Sequence, residues 1–379
     1  MSAPVRRVLY IVDHLGLGGA QSSLVDTLPR LREHGYEPVV LALHKLGDAA
    51  DSLRDAGVPV QSLGTSAVTL PFSLGRAVGQ ARALKASLVD AHLCVSSALG
   101  AHVARRLGLP LVVHVHNQVS SEDVLRRWFL RQGFRAASAA VCVSRAVADS
   151  VRMFMPGASM RVVTIYNPFD WSALDRPGGV DARVEWGIGA DEGVVVFAGR
   201  LAYQKGLDVL LSAWANLLRN RRARLLILGD GPLRARLEAR ARSLGLAASV
   251  IFAGYRTNVP AIVRTCDVFV LSSRFEGLPV AVAEAMAVGV PVVASAVGGV
   301  PEIVTPEVTG LLVPPEDPDA LSAALSRILD DEDLRRRLSE AARARVQQLF
   351  SRDGSVRDLA DLYSHILSGA SGPVDAFGD

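Results

Sequence analysis

The chain has 379 residues, 50% of them hydrophobic and 21% charged, with a formal net charge of +3. That apolar content excludes disorder over most of the length, and the length is too great for one ordinary core, so two domains are expected. The small net charge lacks the basic excess of a nucleic-acid binder, and no nucleic-acid partner is expected.

The charge is unevenly spread, with eighteen Lys/Arg against twelve Asp/Glu in residues 1–170 and twenty-three against twenty-six in the remainder. A mildly basic front half is compatible with an anionic membrane surface, a phosphorylated acceptor, or ordinary surface charge. Cys94, Cys142 and Cys266 stand far apart in apolar segments without metal-ligand spacing, and they read as small core residues of a reducing compartment. The apolar run Val8 to Val12 is too short for a signal peptide, and the region from Leu278 to Val300 is broken by Pro279, Glu284 and Pro291, which argues against a membrane span. A cytoplasmic location is expected, with contact to the inner face of a membrane left open.

The first apolar strand, Arg7 to Val12, runs into the glycine-rich stretch Gly16, Leu17, Gly18, Gly19, Ala20, Gln21, and helical periodicity follows from Leu24 to Leu31. A strand, glycine loop and helix in that order let backbone approach a phosphate or sugar closely, though a tight packing turn has the same signature. The glycine spacing does not fit the dinucleotide fingerprint, which disfavours a nicotinamide dehydrogenase. Further strands are expected at Pro38 to Leu43, Pro59 to Leu63, Leu88 to His92, Leu111 to Val115, Ala139 to Val143 and Arg161 to Ile165, separated by helical patterns. Apolar strands alternating with helices predict a parallel α/β sheet covered on both faces, with ligands beyond the strand carboxyl ends. His92 and His116 stand at two such ends. His92 reads as a structural histidine, and His116, followed by Asn117, as a candidate ligand contact. The segment 121–137 sets Arg126, Arg127, Arg131 and Arg135 beside Leu125, Trp128, Phe129, Leu130 and Phe134. Such a helix suits either an anionic bilayer or a core contact with its aromatics turned inward.

Tyr166 to Asp170, followed by Pro177, Gly178 and Gly179, is the best linker candidate. A second strand series then begins at Val194 to Ala198 and enters the loop Gly199, Arg200, Leu201, Ala202, Tyr203, Gln204, Lys205, Gly206, before a helix Leu207 to Leu218. Two cations flanking a loop at a strand end can neutralise a diphosphate leaving group, or can be plain solvated charges. Strands at Leu225 to Gly229, Val250 to Gly254, Asp267 to Leu271 and Gly310 to Val313 follow, and Asp317 and Asp319 read as helix-capping acids around Pro318. Between these lies the stretch on which the chain turns: Arg274, Phe275, Glu276, Gly277, Leu278, Pro279, then an apolar helix containing Glu284. The Gly277–Pro279 pair predicts a helix start near Leu278, whose unpaired N–H groups suit a phosphate. At about 1.5 Å per helical residue Glu276 and Glu284 lie roughly 10 Å apart, about the span from sugar to ribose in a nucleotide-sugar. A dipole complement plus a solvated side chain is the ordinary alternative, but a carboxylate among Val280 to Val288 needs a partner.

This stretch resembles the Glu-x7-Glu signature of the retaining glycosyltransferases of family 4, with the following Gly-Val-Pro-Val-Val-Ala-Ser and Gly-Gly-Val-Pro-Glu-Ile-Val intact. Gly-Arg-Leu-x-x-x-Lys-Gly at 199–206, His116 with Asn117, and the Gly18–Gly19–Ala20 loop extend the resemblance over nearly the whole chain. Gln21 departs from the Glu usual in that loop, and Pro168 from the usual Gly after Asn167. The resemblance implies the GT-B architecture: two Rossmann-like domains with parallel sheets facing across a cleft. The first would cover 1–168 plus a returning helix 352–367, the second 172–350, with a tail at 368–379. It implies transfer of a hexose-type sugar from a nucleoside diphosphate sugar to a glycan, lipid-linked or small-molecule acceptor, with no cofactor and no metal. His116, Arg200, Lys205 and Glu276 would be catalytic. Gly18, Gly19, Arg200, Lys205, Tyr255, Glu276, Gly277, Leu278 and Glu284 would bind the donor, and Gly16, Gln21 and Asn117 would face the acceptor. A sugar-nucleotide epimerase, a phosphorylase and a non-catalytic sugar-nucleotide-binding protein are the alternatives.

Overall fold

The computed structural model describes residues 5–16, 18–44, 46–65, 70–119, 124–169, 174 and 181–369, apart from the side chains of 70–72 and 352. The chain forms two compact units, Met1–Phe169 with Phe350–Asp379, and Asp170–Leu349. The linker residues Pro177, Gly178 and Gly179 and the tail from 370 lie outside the described residues.

The first unit holds a seven-stranded sheet of β1 (Arg6–Val12), β2 (Tyr36–Ala42), β3 (Val60–Ser62), β4 (Leu88–His92), β5 (Leu111–Val115), β6 (Ala139–Cys142) and β7 (Arg161–Thr164), in the order β3-β2-β1-β4-β5-β6-β7. Its pairings are parallel. The central strands are apolar runs rather than alternating ones because helices cover both faces, and Val8 to Val12 are at most 1% exposed. The helix Gly19–Thr27 is shorter than the expected run to Leu31; a 3-10 segment, Leu28–His34, takes over where Pro29 sits at its start. The last helix, Arg352–Ser368, belongs to this unit, and Val356, Leu359, Leu362 and Tyr363 lie in its core. Each buried leucine of that kind is worth about 2 kcal/mol of transfer free energy. Tyr36 reinforces the contact by a 2.8 Å hydrogen bond to Ser364 and by donating to the Ala360 carbonyl.

The second unit holds a six-stranded parallel sheet of β8 (Gly193–Ala198), β9 (Ala223–Leu228), β10 (Val250–Gly254), β11 (Val268–Leu271), β12 (Val292–Ser295) and β13 (Leu311–Val313), ordered β10-β9-β8-β11-β12-β13. Both sheets are doubly wound. The strand order reverses between β1 and β4 in one and between β8 and β11 in the other, and crevices form at the carboxyl ends of such switch points.

One local expectation is corrected. The helix after Gly277 runs Val280–Ala287, two residues later than expected, with Pro279 as its extended N-cap at φ −79° and ψ 91°. The Pro279 carbonyl already accepts from Val282 N–H at 3.0 Å, so proline ends the loop rather than opening the first turn. Residues 276–279 are therefore not helical, and the 1.5 Å rise does not apply between Glu276 and the helix. Asp317 does cap Pro318–Asp330, accepting from the N–H groups of Asp319 and Ala320.

Candidate active site

In the second unit the loops after β8 and β11 meet over the switch point. Arg274 N–H donates to the Gln204 carbonyl at 2.8 Å, and Ser272 Oγ donates to the Lys205 carbonyl at 2.9 Å. That approach requires Gly206: at φ +57°, a Cβ there would lie 2.1 Å from the Ser272 carbonyl oxygen. Arg274 clamps the same junction, reaching both oxygens of Asp208 at 2.9 and 2.8 Å, the Tyr203 carbonyl at 3.0 Å and Glu316 at 2.9 Å. Its guanidinium also lies 4.3 Å from the centre of the Tyr203 ring.

The clamp delivers Lys205 and Glu276 to each other. Lys205 Nζ lies 2.6 Å from Glu276 Oε1, which also accepts from Ser273 Oγ at 2.6 Å, while Gln204 Nε2 donates to Oε2 at 3.3 Å. Glu276 is 4% exposed. One lysine N–H is used, leaving two for an anion. Arg200, by contrast, is exposed and has no side-chain partner among the described residues. Gly277 and Leu278 are buried, and the Gly277 carbonyl accepts from Gly299 N–H at 3.0 Å. Glu284 is half-buried in its helix, and Tyr255 stands 51% exposed just past β10. Ser273, Gln204 and Arg274 went unassigned in the sequence. The signal was present, since each adjoins a motif residue.

In the first unit Asp13, at the end of β1, bridges the switch point by accepting from Ser96 N–H at 2.7 Å and from Ser96 Oγ. Gly18 caps the first helix with its carbonyl, and Gly19 begins it. Gly16 N–H approaches His14 Nδ1 at 3.3 Å. Gln21 is buried and donates to the His14 carbonyl at 3.3 Å, so its amide ties the loop to itself. His116 and Asn117 line a small cavity of about 40 Å³ beside Leu93, Cys94, Arg126 and Arg127. Leu93 takes φ +74°, a strained value for a leucine, directly after His92.

Behind His116 runs a polar column that sequence reasoning missed. The register pairs Tyr10 with Asp90 and His92 with His114, and the two-residue period puts all four on one sheet face. His116 Nε2 and His92 Nδ1 are 3.0 Å apart. His92 Nε2 and His114 Nε2 each lie 3.1 Å from an oxygen of Asp90, obliquely, and Asp90 is fully buried. Tyr363, from the last helix, donates to Asp90, and its oxygen is 2.7 Å from that of Tyr10. Burial opposes the charge on Asp90, but the charge and hydrogen bonds of His114 and His92 outweigh it and hold the carboxyl well below its ordinary value. Burial likewise lowers His92 to about 4 and holds His116 well below the ordinary imidazole value. Both rings are neutral near pH 7. Nitrogens of His92, His114 and His116 lie within 4.8 Å of one another, but the rings of His92 and His114 stack at 4.2 Å and 18°. In-plane lone pairs of stacked rings run side by side and do not converge on one ion.

The two doubly wound parallel sheets match the fold of GT-B glycosyltransferases. Anabaena HepE in complex with UDP and glucose superposes with a TM-score of 0.85 at 24% identity, over 95% of this chain and 99% of that one. The glycosyltransferase family 4 model matches residues 17–172, and the glycosyl transferases group 1 model residues 181–345. The chain is 31% identical over 296 residues to 2-deoxystreptamine glucosyltransferase of Streptomyces kanamyceticus, covering 71% of this chain and 75% of the relative. An uncharacterized glycosyltransferase of Methanocaldococcus jannaschii is 31% identical over 229 residues, and the chain spans 59% of its length. The chain belongs to glycosyltransferase family 4. Among the described residues no helix is long and apolar enough to cross a membrane.

Proposed function

We propose that this glycosyltransferase moves a hexose-type sugar from a nucleoside diphosphate sugar to an acceptor hydroxyl, with retention of anomeric configuration. The single observation that carries the reading is the Lys205–Glu276 pair at 2.6 Å over the β8/β11 switch point, with exposed Arg200 in the same loop as Lys205. Arg200 and the two remaining Lys205 donors meet the diphosphate, together with the first N–H groups of Val280–Ala287. Glu276, fixed by Ser273 and Gln204, accepts hydrogen bonds from the sugar hydroxyls, and Glu284 from the ribose. The acceptor oxygen bonds to the anomeric carbon on the face from which the diphosphate leaves, the carbon–phosphate-oxygen bond breaks, and the hydroxyl proton passes to the departing phosphate oxygen. These side chains supply the charge for that step without a metal or other cofactor. His116 and the Gly16–Gly19 loop face the acceptor. Binding of UDP and glucose by Anabaena HepE favours a uridine donor.

The acceptor's character is suggested by an open apolar cavity of about 460 Å³ in the first unit, walled by Val95, Leu99, Trp128 and Phe129 with His102, Arg105 and Arg106 beside it. The helix Val124–Ala136 divides its apolar residues: Leu130 and Phe134 are buried, whereas Val124, Leu125 and Trp128 are 79, 64 and 54% exposed. An apolar surface with cations at its edge suits a lipid-linked acceptor at the inner face of an anionic membrane, and residues 120–123 lie outside the described ones.

The test is Glu276→Ala. Transfer is expected to fall about 10²–10³-fold, as for other preorganised polar groups removed from a reacting centre, in a chain that still unfolds cooperatively, at a lower melting temperature because Lys205 and Ser273 lose their partner. Unchanged turnover overturns the assignment. A thermal-shift screen with UDP, GDP and ADP identifies the base by mass action.

A further inference from the structure

Nothing in the proposed reaction uses Asp90, His92, His114, Tyr10 or Tyr363, yet these groups fill one face of the sheet centre, where apolar side chains would pack at lower cost. Their order is directional. Tyr363 spends its proton on Asp90, so the 2.7 Å contact between the two phenols has Tyr10 as donor. The Asp90 carboxylate, 3.1 Å from His92 Nε2, favours the proton on that nitrogen. His92 Nδ1 is then bare, and it can only accept from His116 Nε2 across their 3.0 Å contact. His116 Nδ1 must then carry the free lone pair, and that atom is buried with no hydrogen-bond partner. His92 Nε2, His114 Nε2 and Asp90 Oδ1 also lack an aligned hydrogen bond but face one another at 3.1 Å inside the column, whereas His116 lines the cavity at a strand carboxyl end, where its bare Nδ1 points to a group that arrives from outside.

We propose that Asp90 and His92 are positioning residues that lock His116 in its Nε2–H tautomer, so that His116 Nδ1 presents a hydrogen-bond acceptor to the hydroxyl of the incoming acceptor substrate. The lock is built into the fold rather than the loop. Its anchor is a tyrosine of the last helix, 273 residues from Asp90 in sequence. No proton leaves the column in this role: the hydroxyl's one proton rests against His116 Nδ1 as the substrate docks, orienting the oxygen, and turns to the departing phosphate oxygen as the carbon–phosphate-oxygen bond breaks. The assignment rests on the reading of His116 given above, but its first test does not need turnover.

Nitrogen-15 spectra of the histidine-labelled full chain at pH 7.5 read the tautomers directly. Expected are a proton on Nε2 and a bare Nδ1 for both His92 and His116. In His92→Leu the His116 signals should move to a mixture of tautomers, and kcat should fall about tenfold, the worth of one oriented hydrogen bond, with the donor KM unchanged. His92→Gln keeps an acceptor oxygen and should restore most of both. A wild-type His116 protonated on Nδ1 overturns the proposal, as does a His92→Leu chain with unmoved His116 signals and unmoved kcat. Should Asp90→Asn fail to fold, the His92 pair still decides. A chain with the expected tautomers but no transfer to any hydroxyl acceptor defeats the proposed function and leaves the tautomer lock standing.

Discussion

The two switch points solve opposite problems. Over β8 and β11 Glu276 is buried against Lys205, whose remaining donors are unused, and Arg200 and Phe275 are exposed in the same two loops. Beside β1 and β4 the charge on Asp90 is fully buried and faced from within by two imidazoles and a phenol; Asp90 Oδ1, His92 Nε2 and His114 Nε2 meet obliquely inside the column, and His116 Nδ1 stands without a hydrogen bond at its outer end. In the proposed reaction the first arrangement meets the charged donor. The second is built to hold one neutral ring in place, and its contacts should weigh on stability where those of the first weigh on binding.

The largest expected effect on that contrast comes from Asp90→Asn. It sets an amide N–H2 among phenol and imidazole groups that faced an accepting oxygen, and should destabilise the chain by about 3 kcal/mol or more in urea unfolding, since the buried partners of a charged acceptor are left unsatisfied. A loss under about 1 kcal/mol would mean that the column carries no more weight than a solvent-exposed ion pair. Gly298→Ala tests the second unit. At φ +53° its Cβ would stand 1.9 Å from the Glu276 carbonyl oxygen, so the loop carrying Glu276 must shift. A cost of roughly 3 kcal/mol is expected together with lost donor binding, and a variant that binds UDP like the wild type would show that the loop tolerates movement.

Acidification should strike the first unit first. His92 titrates near 4 in the folded chain against an ordinary 6.5, so between those values the unfolded chain binds the proton and the folded one does not. Stability is therefore intact above about pH 6.5 and falls toward pH 4 by on the order of a few kcal/mol. Asp90, held low, adds its own loss only below the ordinary carboxylate range. Urea midpoints from pH 7.5 to 4.5 measure the slope, and His92→Gln should flatten it; equal slopes in the two chains would refute the buried neutral ring. The smallest effect is expected for Tyr363→Phe, which removes a hydrogen bond to a charged group at a cost of about 1.5–3 kcal/mol and should leave UDP affinity unchanged.

Much of this was legible locally. Strands β4, β5 and β10 have the expected boundaries, because apolar runs ending in polar or glycine residues declare buried parallel strands. Arg200, Lys205 and Glu276 were visible because each lies in a short loop after an apolar strand. The start of the helix at Val280 was misplaced because proline satisfies both an N-cap and a first turn in sequence, and only the dihedral angles distinguish them. The glycine-loop residue Gln21 read as a ligand contact, and the coordinates place its amide on the loop's own backbone.

Sequence alone determined the alternation of strands and helices, the two glycine-marked strand ends and the carboxylate of Glu284 set in an apolar helix, since each depends on neighbours within a few residues. Tertiary structure alone decided that Lys205 reaches Glu276 and that Tyr10, Asp90, His92, His114 and Tyr363 form one column. Those contacts depend on strand order, register and the return of the final helix, and no local periodicity encodes which strands lie side by side.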